Sequence, residues 1–141
     1  MAEHYETVWQ FETASFRVEF AVAPEDMAPE DSFEFDDDVA AVRNGDVEWF
    51  CARVQVIVKA DVGDGRIAEA VIGEDHLGGC AYHTVREFYT SHRDPDALNR
   101  NCSIMRGQNR SIGHYFPSMV AEAIDMARRT LDNLPTLRKE D

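Results

Sequence analysis

At 141 residues and 44% hydrophobic side chains, the chain is long enough to bury one real core and too apolar for wholesale disorder. Its net charge of −13 excludes ordinary DNA or RNA binding and docking on anionic lipid, both of which need a basic surface. The balance is also lopsided, with 14 acidic and 2 basic side chains in residues 1–50 against 13 and 12 in residues 51–141. A basic partner surface, or solubility alone, accounts for charge gathered at the front. Arg outnumbers Lys twelve to two, which suits fixed, forked ion pairs.

Residues 4–22 alternate like strands. Tyr5, Thr7, Trp9 and Phe11 are expected on one face of a first run, and Phe16, Val18, Phe20 and Val22 on one face of a second, so these aromatics are expected to fill much of the core. The opening MAEHYETVW has neither a basic start nor an apolar run, so no signal peptide is expected. No apolar stretch approaches the roughly 20 residues of a membrane span.

Pro24 to Asp38, PEDMAPEDSFEFDDD, is the stretch around which the rest is arranged. It carries Glu25, Asp26, Glu30, Asp31, Glu34, Asp36, Asp37 and Asp38, with Met27, Phe33 and Phe35 among them and no Lys or Arg. Pro24 and Pro29 lack the ladder donor, so a loop is expected. Asp37 to Gly45 reads as a short helix, with aspartates capping its start, Arg43 in the last turn and Gly45 closing it. Asp36, Asp37 and Asp38 thereby gain a local structural task, and the other five carboxylates have none in the sequence. The plain reading is a solvated loop pinned by Phe33 and Phe35; the functional one is a docking surface. In the latter, carboxylates on a folded frame imitate nucleic-acid phosphates and Met27, Phe33 and Phe35 anchor the partner.

Val47 to Ala60 predicts the strongest strand, with Phe50, Ala52, Val54, Val56, Val58 and Ala60 on one face and Trp49, Cys51 and Ile57 making the other partly apolar. Gly63-Asp64-Gly65 signals a turn, and Arg66 to Ile72 a hairpin partner. Leu77 to Tyr82 reads as a separate short strand or loop whose paired glycines suggest close backbone approach. Thr84-Val85-Arg86-Glu87 is a capping box opening a helix with Val85, Phe88, Tyr89 and His92 on its stripe. A short helix is expected after Asp94-Pro95, and a polar loop over residues 100–114. A last helix runs from Pro117 to about Asn133, with Val120, Ala123, Ile124, Ala127 and Leu131 inward and Pro135 ending it. No repeat or linker divides the chain, so one domain over residues 1–141 is expected. The order of elements predicts an α+β fold: an antiparallel sheet of four to five strands with a C-terminal helix and one or two shorter helices on one face.

Chemistry is harder to find. His76, Cys80, His83, His92, Cys102 and His114 are the best metal-ligand candidates, but no C-x₂-C pair occurs and the set crosses unlike elements, so no metal or other cofactor is expected. Asp61 to Gly65 lacks the oxygen ligands of a calcium loop, and Gly107 to Gly113 lacks the lysine of a phosphate loop. Three widely spaced cysteines, Cys51, Cys80 and Cys102, do not make a disulfide framework and fit a reducing cytoplasm. Nothing links a nucleophile to a base, so an enzyme is not expected. Arg86, Arg93, Arg100, Arg106 and Arg110 form a local cationic excess that pairs with the acidic loop, of the same chain or of a second copy in a homodimer. Alternatively Arg100, Arg106, Arg110 and His114 form a ligand-binding or small-enzyme site.

Leu77–Tyr82 (LGGCAY), Arg86–Tyr89 (REFY), His114–Leu131 (HYFPSMVAEAIDMARRTL) and the opening FETASFRVEF resemble small acidic proteins of proteobacterial phages, plasmids and conjugative elements. None of these segments carries known chemistry, so no site residue is carried over. The resemblance implies a context, since small acidic proteins of mobile elements often counter host defence, as anti-CRISPR and anti-restriction proteins do, by stoichiometric binding. The expectation is thus a non-enzymatic inhibitor in the bacterial cytoplasm. Its partner is a host protein or ribonucleoprotein complex with a basic surface, contacted through residues 25–38, with no direct contact to nucleic acid or membrane.

Overall fold

A computed structural model describes residues 4–90 and 115–139. In order come strand β1 (Glu6–Glu12), strand β2 (Phe16–Pro24), a 3-10 turn (Pro29–Asp31), helix α1 (Asp36–Arg43), strands β3 (Glu48–Gly63) and β4 (Arg66–Tyr82), and helices α2 (Val85–Thr90) and α3 (Tyr115–Lys139). The strands form one antiparallel sheet in the order β1-β2-β3-β4, so the fold is α+β with a C-terminal helix and shorter helices. The expected short helix after Asp94-Pro95 and the loop over 100–114 lie outside the described residues.

Contacts group the described chain into two compact units. The first holds residues 4–5, 23–52, 77–90 and 115–118, and its core is aromatic. Phe88 stands edge-on to Phe50 at 5.6 Å and to Tyr82 at 5.1 Å, and Phe116 closes the cluster at 6.3 Å. Edge-to-face geometry at these spacings is the arrangement that ring quadrupoles favour. Helix α2 enters the cluster with two of its early donors held by side chains, because Thr84 Oγ1 accepts the Glu87 N–H at 3.2 Å and Glu48 Oε2 accepts the Val85 N–H at 2.6 Å.

The second unit holds residues 6–22, 53–76 and the described part of 119–141. Phe20, Val54, Val56, Ile57, Met119, Ala123 and Ala127 are buried in it. Gly73 sets the position of α3: a side-chain carbon there would lie 2.1 Å from the Ala123 carbonyl oxygen and 2.8 Å from the Ala127 nitrogen. Only a residue without Cβ lets helix backbone rest on strand backbone so closely.

The structure corrects several expectations. A bulge at Val8 shifts the β1–β2 register, since Thr7 pairs with Ala21 but Trp9 with Phe20. Thr7 therefore leaves the face of Trp9 and Phe11, because an extra residue reverses the alternation. Strand β1 adds little core: Phe11 is 58% exposed and Trp9 only half-buried, while Phe20 is fully buried. Strand β4 is one strand of 17 residues, not two pieces, because it passes through Gly73 and bends at Gly79, whose φ is +67°. The hairpin turn before it is Asp64-Gly65, with φ of 58° and 73°, which matches strand twist. Helix α3 continues through Pro135 to Lys139, where Pro135 was expected to stop it.

Candidate docking surface

The acidic stretch is fastened to the first unit along its length. Where it leaves β2, the Glu25 N–H donates to the Trp49 carbonyl at 3.3 Å. The Glu25 carboxylate then accepts two backbone donors, Gly79 N–H on Oε1 at 2.6 Å and Met27 N–H on Oε2 at 3.2 Å. Charge-assisted bonds of this kind are roughly twice as strong as neutral ones. Gly78 and Gly79 make room for the contact, since a Cβ at Gly78 would lie 3.0 Å from Glu25 Oε1 and one at Gly79 would lie 3.2 Å from Ser32 Oγ. The neighbouring Cys51 thiol is pushed up to about 11, by burial first and then by its hydrogen bond to the Glu25 carboxylate.

Trp49 supplies the second fastening. Its indole N–H donates to the Met27 carbonyl at 2.9 Å, and its ring tilts against Phe33 with centroids 5.5 Å apart. Pro29 is buried beneath the 3-10 turn, and its carbonyl accepts the N–H groups of Ser32 and Phe33, each at 3.0 Å. Helix α1 follows. Its N-cap is Phe35, which has no capping oxygen, so Asp36, Asp37 and Asp38 lie inside the first turn rather than at the cap. There they oppose the positive end of the helix dipole. Gly45, with φ +77°, closes the helix through a 3.2 Å bond from its N–H to the Val42 carbonyl.

The eight carboxylates thus divide by task. Glu25 is spent on backbone donors, and Asp38 is buried with 3% exposure. Glu30 pairs with Arg43 at 2.5 Å; both side chains are more than half exposed, and the Glu30 pKa falls through a backbone hydrogen bond and the Arg43 contact. The expectation that Glu25 and Glu30 have no structural task is therefore overturned. Asp26, Asp31, Glu34, Asp36 and Asp37 are exposed. Among them Met27 and Phe35 are 38% and 40% exposed, while Phe33 is half-buried against Trp49. The sequence reading missed Trp49 as the fastening residue, and its signal was available: an indole donor on an otherwise paired strand needs an acceptor.

The remaining candidates separate differently. Arg100, Arg106, Arg110 and His114, like His92 and Cys102, lie outside the described residues. His76 is half-exposed beside Glu74 at 3.4 Å, His83 is exposed and Cys80 is buried, its thiol donating to the Leu77 carbonyl at 3.6 Å. Burial pushes the Cys80 thiol far up, the opposite of what a nucleophile requires. Among the described residues no group of three or more His, Cys, Asp and Glu is placed to hold a metal ion. No described helix is long and apolar enough to cross a membrane. No family model, curated protein or solved structure matches the chain.

Proposed function

We propose that the protein is a non-enzymatic inhibitor of a host defence system, encoded by a mobile element and binding a basic, nucleic-acid-handling complex through residues 25–38. One observation carries the reading: five exposed carboxylates and two part-exposed apolar side chains lie along a backbone tied down by Glu25 and Trp49. The two kinds of group do different work. Exposed charge steers an encounter and raises the on-rate but adds little to a long-lived complex. Completing the burial of Met27 and Phe35 supplies holding energy, since a full Met or Phe burial is worth about 1.5–3 kcal/mol. Loop carboxylates of this density suit a cleft lined with Lys and Arg that otherwise takes phosphate. The likeness of LGGCAY, REFY and the C-terminal helix to proteins of phages and plasmids supplies the biological setting.

The test leaves alone the carboxylates that accept the Gly79 amide, pair with Arg43 or are buried. Asp26, Asp31, Glu34, Asp36 and Asp37 are converted to their amides while Glu25, Glu30 and Asp38 stay. After folding is confirmed, protection of phage or plasmid DNA is measured in cells with and without defined CRISPR and restriction systems. Protection lost only in defended cells supports the proposal; protection equal to that of the parent removes the acidic face from the mechanism.

A further inference from the structure

The second unit contains a groove unrelated to the acidic face. Helix α3 is pressed onto β4 at Gly73, where the backbone of both Ala123 and Ala127 comes close. Beside that contact, with Ala127 and Val56 in its lining, lies an open space of about 340 Å³. Phe16 and Val18 of β2 form one wall, Ile124 and Leu131 of α3 the other. All four remain only half-buried, although a closed helix–sheet interface would cover them. Arg128 stands at the groove, exposed, and among the described residues it makes no ion pair or hydrogen bond. Asp125 and Asp132 flank it on the same helix.

We infer that this groove binds an anionic amphiphile with a single aliphatic chain, a medium-chain fatty acid or its like, with the tail between Phe16, Val18, Ile124 and Leu131 and the carboxylate on Arg128. The size fits, since ligand pockets run from about 300 to 1,000 Å³ and this one lies at the lower end, enough for one chain. The walls are almost wholly aliphatic or aromatic carbon, so the tail gains by leaving water. The guanidinium fork matches a carboxylate in bidentate geometry and selects the head group.

The experiment titrates the whole protein with dodecanoate, decanoate and octanoate below their micelle concentrations, following Ile and Val methyl shifts by NMR, with dodecyltrimethylammonium as the cationic control. Saturable shifts confined to Val18, Val56 and Ile124 are expected, with affinity falling about fourfold per methylene removed. Arg128→Glu is expected to weaken dodecanoate about tenfold or more and to leave the cationic control unweakened. Val18→Phe, which fills the groove from a strand position, is expected to abolish binding while the protein melts normally. Equal affinity for both head groups, an unaffected Arg128→Glu, or shifts spread over the surface would overturn the assignment. A second wall variant, Leu131→Asp, serves if Val18→Phe fails to fold; retained dodecanoate affinity there sinks the proposal equally.

Discussion

Trp49 donates its indole N–H to the carbonyl oxygen of Met27 at 2.9 Å, and this bond joins a core strand to the first part of the acidic segment. The same ring supports Phe33, so one side chain fixes the segment at two points. Replacing Trp49 with Phe keeps an apolar ring but leaves the Met27 carbonyl without its donor. A loss of about 1–2 kcal/mol is expected, read as a lowered denaturation midpoint with an unchanged urea slope.

Gly73 offers a sharper test. A methyl group there meets the Ala123 carbonyl at 2.1 Å, and neither backbone has a flexible end that can yield. Gly73→Ala is expected to destabilise by about 1–3 kcal/mol or more, as overpacking does. The outcome is opposite to that of an ordinary strand glycine, where alanine usually helps. Thermal melts of Gly73→Ala beside Gly65→Ala, whose surroundings are open but whose φ is +73°, separate crowding from backbone strain.

Arg17 holds three carboxylates on the sheet. It donates to both oxygens of Glu69 at 2.8 Å and to Glu19 at 2.9 Å, with Glu12 at 3.7 Å and also bonded to Lys59 at 2.8 Å. Removing the guanidinium leaves like charges gathered around a mostly covered position. Arg17→Met is expected to lower the melting temperature at neutral pH, though by less than the loss of a buried ion pair would, because Glu12 and Glu69 are screened by solvent. The deficit is expected to shrink in acid, as the abandoned carboxylates take up protons.

The parent's own acid response follows from the same contacts. Glu12 is held below its ordinary value of 4.5 by Lys59, Glu69 by Arg17, Glu30 by a backbone hydrogen bond and Arg43, and Glu74 by Gln55 and then His76. A carboxylate depressed in the fold binds protons more readily when unfolded, so its stabilisation is full above about pH 4.5 and disappears as pH falls through the lower folded value. Melting temperature is therefore expected to be flat from pH 7 to about 5 and to fall below that. Arg17→Met, lacking one of the supports, is expected to fall less steeply.

Cysteine chemistry gives an independent check on the Glu25 fastening. With its thiol pushed to about 11, Cys51 is expected to alkylate far more slowly at pH 8 than in the unfolded chain. In Glu25→Gln the charge that opposes thiolate formation is gone, and Cys51 labelling, mapped by peptide mass, is expected to speed up. Cys80 is expected to stay protected in both, because burial is the main cause of its shift.

How much of this was legible in the chain depends on whether the information was local. The face of β3 that buries Phe50, Ala52, Val54 and Val56 follows from strict alternation, and the Asp64-Gly65 turn from residues that tolerate positive φ. The Val8 bulge was not legible, since the pairing partner decides it. Strand β4 reads as two pieces because Gly73 and the run Glu74-Asp75-His76 break its apolar pattern; that glycine is needed by a helix some 50 residues downstream. The acidic segment was visible as composition, but the division of its carboxylates was not. Glu25 and Asp26 are neighbours of the same charge, and it is the nearness of the Gly79 amide, invisible in the sequence, that draws the Glu25 carboxylate onto the backbone.

That fastening has a thermodynamic consequence for any association through residues 25–38. A segment already immobilised by Glu25, Pro29, Phe33 and Trp49 has lost its chain entropy during folding, so little ordering remains to oppose complex formation. Calorimetry of such a complex is then expected to show the small negative heat-capacity change of two rigid surfaces meeting, not the large one of a tail that folds as it binds.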